Sequence, residues 1–201
     1  MPRIISILFL VFLSISSYSQ QTEERPKIGL VLSGGAAKGF AHIGVIKYLE
    51  ELGIEADFVT GSSMGSIIGG LYAMGYNSDQ MYKIAASQDW ELLLSGNIEL
   101  KDVAPLEKPF HQKFPFYVAY EDGGVTLPRG VINSQKLDLL LSAVFSPAYQ
   151  VSNFDSLHVP FRCVAVNLVN GDVKSFSKGN LAKSIRASMA IPGVFLSLIH
   201  I

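Results

Sequence analysis

The chain has 201 residues, 49% of them apolar, and a formal net charge of −1. That length supplies one domain with a substantial core. The apolar content argues against disorder, and the near-neutral charge argues against a nucleic-acid partner.

"MPRIISILFLVFLSISSYSQ" carries one positive charge, Arg3, and an apolar run from Ile4 to Ile15. The run is short of the roughly 20 apolar residues that a bilayer span needs. Ser17 and Ser19 are small residues just before a possible cut at Gln20, so residues 1–19 read as a secretory signal peptide. An uncleaved membrane anchor is the alternative, and no cysteine near the cut suggests a lipid-anchored end. Residues 20–26 read as a polar leader, and 27–195 as the folded domain.

"KIGLVLS", Lys27 to Ser33, is an apolar run of strand length, of the kind buried on both faces of a parallel sheet. After "GGAAKG", the stretch "FAHIGVIKYLEELG" has helical spacing. Val45, Ile46, Leu49 and Leu52 share one face, with Lys47, Glu50 and Glu51 opposite, and Gly53 suits the stop. "ADFVTG" is a second strand. "MGSIIGGLYAMG" is a second helix with Ile67, Leu71 and Met74 on one side. Gly65, Gly69 and Gly70 lower its propensity, which implies very close packing against it. Strand–helix–strand–helix with connections this short predicts a right-handed βαβ unit and a parallel sheet.

Asn77 or Ser78 caps a third helix that runs through Ala86. From Trp90 to Gln112 the pattern predicts loop with short helical turns. "FPFYVAYEDGGVTLPRG" alternates about "DGG" and predicts a hairpin. A helix starts near Ser134. "FRCVAVNLVNGDVKSFS" predicts two strands joined at Asn170-Gly171, with the lone Cys163 as a buried structural thiol. "NLAKSIRASMAIPGVF" predicts a helix stopped by Pro192.

Two glycine-rich turns carry the chemistry. Gly61-Ser62-Ser63-Met64-Gly65 is a G-x-S-x-G segment between a strand and a helix, the context of a nucleophile elbow. The serine must project from a tight turn, and glycines two residues to either side leave room for it. The helix after Ser63 aims its first N–H groups where negative charge would develop. The turn Gly34 to Gly39 also joins a strand to a helix, and its backbone N–H groups can form an anion site. It is not a P-loop, because Phe40 follows Gly39. Ala36 spoils a dinucleotide fingerprint, for which Glu55 or Asp57 is weak support. An oxyanion hole and a plain packing turn remain open. Chain order also allows a Ser63–Asp155–His158 triad, whereas His42 reads as a packed helix residue. The histidines and the cysteine form no metal-ligand spacing.

Taken together, "KIGLVLSGGAAKGFAHIGVIKYLEELGI" and "FVTGSSMGSIIGGLYAMGY" closely resemble the patatin-like phospholipases, over roughly Lys27 to Phe195. The resemblance implies a three-layer α/β/α fold with a mostly parallel central sheet. It implies a lipid or phospholipid ester substrate, no metal or cofactor, and a Ser–Asp dyad with Ser63 as nucleophile. The oxyanion hole would be Gly34, Gly35, Ala36 and Met64, supported by Lys38, Gly39, Gly61 and Gly65. Ala36 stands where the family usually has a third glycine, which a negative φ would accommodate. The family's aspartate follows a segment like "ASMAIPGVF" as Asp-Gly. The chain does not continue that way, so truncation is expected and residues 196–201 read as non-native. Asp122 to Gly124 reads as a turn rather than the missing aspartate. "LPRGVINSQKL" resembles exported bacterial members with a downstream outer-membrane barrel, which implies the periplasm, outer membrane or cell surface of a Gram-negative bacterium. Phe110, Phe114 and Phe116 suit either core filling or a membrane surface. Oligomeric state stays open. A secreted binding or passenger domain without catalysis is the remaining alternative.

Overall fold

The computed structural model describes residues 25–95, 100–106, 108–110, 119–121, 124–126, 130–132, 135–190 and 193–195. Strand β1 (Gly29–Leu32) leads through a 3-10 turn (Ala36–Phe40) into helix α1 (Ala41–Glu51). Strand β2 (Phe58–Gly61) leads into α2 (Met64–Ala73), followed by α3 (Ser78–Ala86) and the short α4 (Trp90–Ser95). Next come β3 (Ala119–Glu121), β4 (Gly124–Thr126), β5 (Gly130–Ile132) and α5 (Gln135–Val144). The described chain ends with β6 (Phe161–Val166), β7 (Val173–Phe176), α6 (Leu181–Ser188) and β8 (Gly193–Phe195).

The main sheet has the order β1-β2-β6-β7. β1, β2 and β6 are parallel, and β7 is antiparallel to β6. The expected βαβ unit is therefore present, and so is the strand pair about Gly171, which takes φ 77. β3 and β4 form the expected hairpin, although Asp122 and Gly123 lie outside the described residues. Leu30, Val59 and Phe161 are in register, as are Leu32, Gly61 and Cys163. These residues share the face on which α2 lies, because a Cβ on Gly69 would touch Val59, Phe161 and Leu32 at 3.2–3.5 Å. Burial pushes the Cys163 thiol up to about 12, which makes it inert, as expected of a structural thiol.

Several expectations are corrected here. β1 is not buried on both faces, since Val31 on the opposite face is 77% exposed and its neighbour Phe58 is 49% exposed. On α1 the buried residues are Ile43 and Ile46, while Val45 and Leu52 are exposed. The inward stripe is thus rotated from the one the apolar spacing suggested. α2 is buried all round rather than on one side: Met64 through Leu71 and Ala73 are all buried. Burying Ile67, Ile68 and Leu71 stabilises by about 2 kcal/mol each. The close packing implied by its glycines is present, with Gly70 against Ile185 and Phe145. α6 ends at Ser188, ahead of Pro192, and Gly193–Phe195 forms a strand paired in parallel with β5.

Capping follows the sequence closely. Asn77 and Gln80 form a reciprocal capping box on α3, which satisfies two N–H groups that a helix start leaves open. Gly53 takes φ 66 after α1, and Ile54 N–H reaches back to the Leu49 carbonyl at 2.9 Å, the glycine-dependent helix stop. Asp57 accepts from Ile28 N–H at 2.7 Å and from both terminal nitrogens of Arg25 at 2.9 Å. The Ile28 N–H first, then the Arg25 guanidinium, holds its carboxyl below the ordinary carboxylate range. Asp57 thus clamps the starts of β1 and β2, at the sheet edge opposite the Gly34–Gly39 turn.

Candidate active site

Because β1 and β2 run in parallel, the turns that leave them open onto the same edge of the sheet. Ser63 is the residue between β2 and α2, with φ 50 and ψ −121. A non-glycine residue at positive φ is strained by its own Cβ, and the surroundings hold it there. Ser62 N–H donates to the Leu32 carbonyl at 3.0 Å. The Ser63 carbonyl accepts from Ser66 N–H at 2.9 Å and from Ser66 Oγ at 2.6 Å. The Ser63 N–H donates to Ser188 Oγ, from α6, at 2.9 Å.

The flanking glycines are sterically required. A Cβ on Gly61 would run into the Gly65 carbonyl, and a Cβ on Gly65 would run into the Leu32 carbonyl oxygen. The second turn comes up against the first: a Cβ on Gly34 would lie 3.2 Å from Ser63 Cβ and 3.5 Å from the Ser62 carbonyl oxygen. Gly39 is buried on Met64, where a Cβ would lie 2.5 Å from Met64 Cγ. Gly35 precedes the 3-10 turn and accepts from Lys38 N–H at 3.0 Å, leaving the Lys38 side chain exposed. The structure therefore brings Gly34 beside Ser63 and Gly39 beside Met64, with Gly35 and Ala36 in the turn between those two contacts. Main-chain N–H groups at the start of a helix or 3-10 turn have no i−4 partner inside it, which is why such starts can bind anions.

Ala36 does not have the negative φ that would accommodate it. Its φ is 47, a left-handed conformation that glycine adopts without cost. Ala36→Gly is therefore expected to raise stability by about 0.5–1 kcal/mol and to leave the turn in place. Chemical denaturation of the two forms checks this. His42 holds the same turn from the other side, its Nε2–H donating to the Ser33 carbonyl at 2.9 Å. It ties α1 back to the end of β1, consistent with a packed residue.

Asp155 and His158 do not approach Ser63. Phe161 pairs with Val59, so His158 precedes that register point while Ser63 follows it. Their separation along the strand direction is on the order of 20 Å. His158 lies by Gly75 instead, where a Cβ would come within 3.6 Å of its ring. Asp155 is engaged by Arg162 at 2.6 and 3.0 Å, and this pairing lowers its carboxyl below the usual range. No triad forms among the described residues. Ser188, by contrast, was not singled out from the sequence. It lies 125 residues from Ser63, and no local pattern announces that contact.

Two concavities lie away from Ser63. One of about 820 Å3 runs between α1 and α3 past Phe40, Tyr82 and Trp90. The other, of about 530 Å3, contains Asp57 and His158 at the opposite sheet edge. Among the described residues no His, Cys, Asp and Glu cluster could hold a metal, and no helix is long and apolar enough to cross a membrane. Phe114, Phe116 and the Phe110 side chain lie outside the described residues.

A family model for the patatin-like phospholipases matches residues 30–200. An uncharacterized NTE family protein of Mycobacterium tuberculosis is 31% identical over 169 residues, which cover 84% of this chain and 39% of the relative. Lysophospholipase NTE1 of Candida albicans is 28% identical over 173 residues, covering 83% of this chain and 10% of that protein. The chain thus spans well under half the length of these relatives. Full-length ExoU of Pseudomonas aeruginosa, crystallised with SpcU, superposes with a TM-score of 0.53 at 20% identity, over 83% of this chain and 39% of that one. That likeness shows the fold, a three-layer α/β/α arrangement about a mostly parallel sheet.

Proposed function

Because the chain belongs to the patatin-like phospholipase family, we propose that it is the nucleophile-bearing part of an exported serine lipid acyl hydrolase. Ser63 is the nucleophile. The observation that carries this reading is a serine at φ 50 between strand and helix, pressed against the Gly34 turn. A serine so placed supports a nucleophile whose oxyanion would be received by main-chain N–H groups of the two turns.

In this reading the Ser63 Oγ attacks the carbonyl carbon of a lipid ester. Its proton passes to a carboxylate base, which the resemblance assigns to an aspartate after the Pro-Gly-Val-Phe segment. The N–H groups of Gly35, Ala36 and Met64 receive the developing oxyanion, each donor contributing about 3 kcal/mol to the transition state. The tetrahedral intermediate collapses, the alcohol leaves with the proton, and water then releases the acyl group from Ser63. The names of the NTE1 relatives suggest a lysophospholipid as the first substrate to test.

The test is hydrolysis of a lysophospholipid by a form of the protein that also carries the aspartate assigned by the resemblance, the 201 residues alone being expected to be inactive for want of a base. Ser63→Ala is expected to lower kcat by about 10^4-fold or more, and His158→Ala to leave it unchanged. Loss of activity on His158→Ala would overturn the dyad. Absence of hydrolysis by the form that carries the assigned aspartate would favour a binding domain.

A further inference from the structure

We infer that Ser188 is a positioning residue for the Ser63 nucleophile, an inference that rests on the reading of Ser63 given above. Ser63 begins a helix, so its own N–H has no acceptor inside α2. Its partner comes instead from the last residue of α6, where Ser188 Oγ accepts at 2.9 Å. The carbonyl side of Ser63 is held by Ser66, through both its N–H and its hydroxyl. Both peptide groups of a strained residue are thus pinned, one by its own helix and one by a separate element.

The separate element is itself anchored. α6 packs on β6 and α2, and Ala187 and Met189 on either side of Ser188 are buried. Arg186, buried two residues earlier, reaches Asp138 of α5 at 2.6 Å. Ser188 therefore offers its oxygen from a fixed point. Because an accepting hydroxyl keeps its own proton, the contact adds an acceptor without adding charge near the corner where an oxyanion would form. An unheld Ser63 peptide could relax from φ 50 toward an ordinary value and swing the hydroxyl away from the Gly34 turn. A shift of about 1 Å at a reacting group is enough to cost about 100-fold in rate.

The experiment places Ser188→Ala, Ser188→Thr and Ser188→Cys in the form of the protein that carries the assigned aspartate. It measures lysophospholipid kcat and KM, the rate of Ser63 labelling by a fluorophosphonate, and amide hydrogen exchange at Ser63. Ser188→Ala is expected to lower kcat and the labelling rate by about 10- to 100-fold with KM unchanged, and to speed exchange at the Ser63 N–H. Ser188→Thr, which keeps the acceptor, is expected to restore most of both rates. If the alanine form does not fold, Ser188→Cys decides: its weak acceptor slows labelling if the role is correct. Wild-type rates in the alanine or cysteine form would overturn it, as would a loss that threonine does not recover. A wild type never labelled at Ser63 would instead overturn the hydrolase reading, and this role with it.

Discussion

Gly65→Ala is expected to destabilise the domain by about 3 kcal/mol and to reduce hydrolysis by more than about 100-fold. The cause is a collision with main chain. A Cβ at Gly65 would meet the Leu32 and Ser33 carbonyl oxygens, and neither can turn aside as a side chain would. Leu32 is also fixed by its pairing with Gly61 and by the bond from Ser62 N–H. α2 must therefore back away from β1, carrying Met64 and Ser63 away from the Gly34–Ala36 turn. Gly69→Ala, one turn along the same helix, is the control. The atoms nearest its Cβ would be in the side chains of Val59, Phe161 and Leu32, at 3.2–3.5 Å. Those can give by tenths of an ångström, and the helix gains about 1 kcal/mol of propensity, so the net change is expected to lie within about 1 kcal/mol. Thermal unfolding together with ester hydrolysis reads both variants. Equal behaviour of the two would show that β1 and α2 do not meet as closely as described.

Gly61 and Gly65 explain why this corner is legible in the sequence. G-x-S-x-G between an apolar run and a helical pattern has a steric meaning that survives without coordinates, as does Asn170-Gly171 between two strands. Other features depend on partners that lie far along the chain. The apolar run at β1 does not say which of its faces is covered, and only the register with β2 and β6 reveals that Val31 faces outward. α1 carries apolar residues on more than one side, so spacing alone misplaces its buried stripe. β8 is a short strand whose partner, β5, lies more than sixty residues earlier, and a helix pattern running into Pro192 concealed it. The identity of Ala36 does not encode the sign of its φ, which follows from the path that β1 and α1 impose on the turn.

Ser63→Gly is expected to abolish hydrolysis and, at the same time, to make the domain more stable than the wild type by about 1 kcal/mol. The two effects have separate origins. Hydrolysis is lost with the hydroxyl, as in Ser63→Ala, where no nucleophile remains to form the acyl intermediate. Stability follows the backbone. Ser63 occupies φ 50 and ψ −121, a region in which any Cβ costs about 1–3 kcal/mol. Glycine removes that strain but widens the unfolded ensemble, at a cost of about 0.4–1 kcal/mol. Alanine retains the Cβ and so retains the strain. The expected stability order is therefore glycine above alanine and wild type, with those two nearly equal, and a rise in Tm of about 2–4 °C for glycine in a domain of this size. Urea unfolding of the three forms decides the order. A glycine form less stable than the alanine form would mean that the Ser63 backbone is not held under strain, and the elbow would lose the geometry on which its proposed chemistry depends.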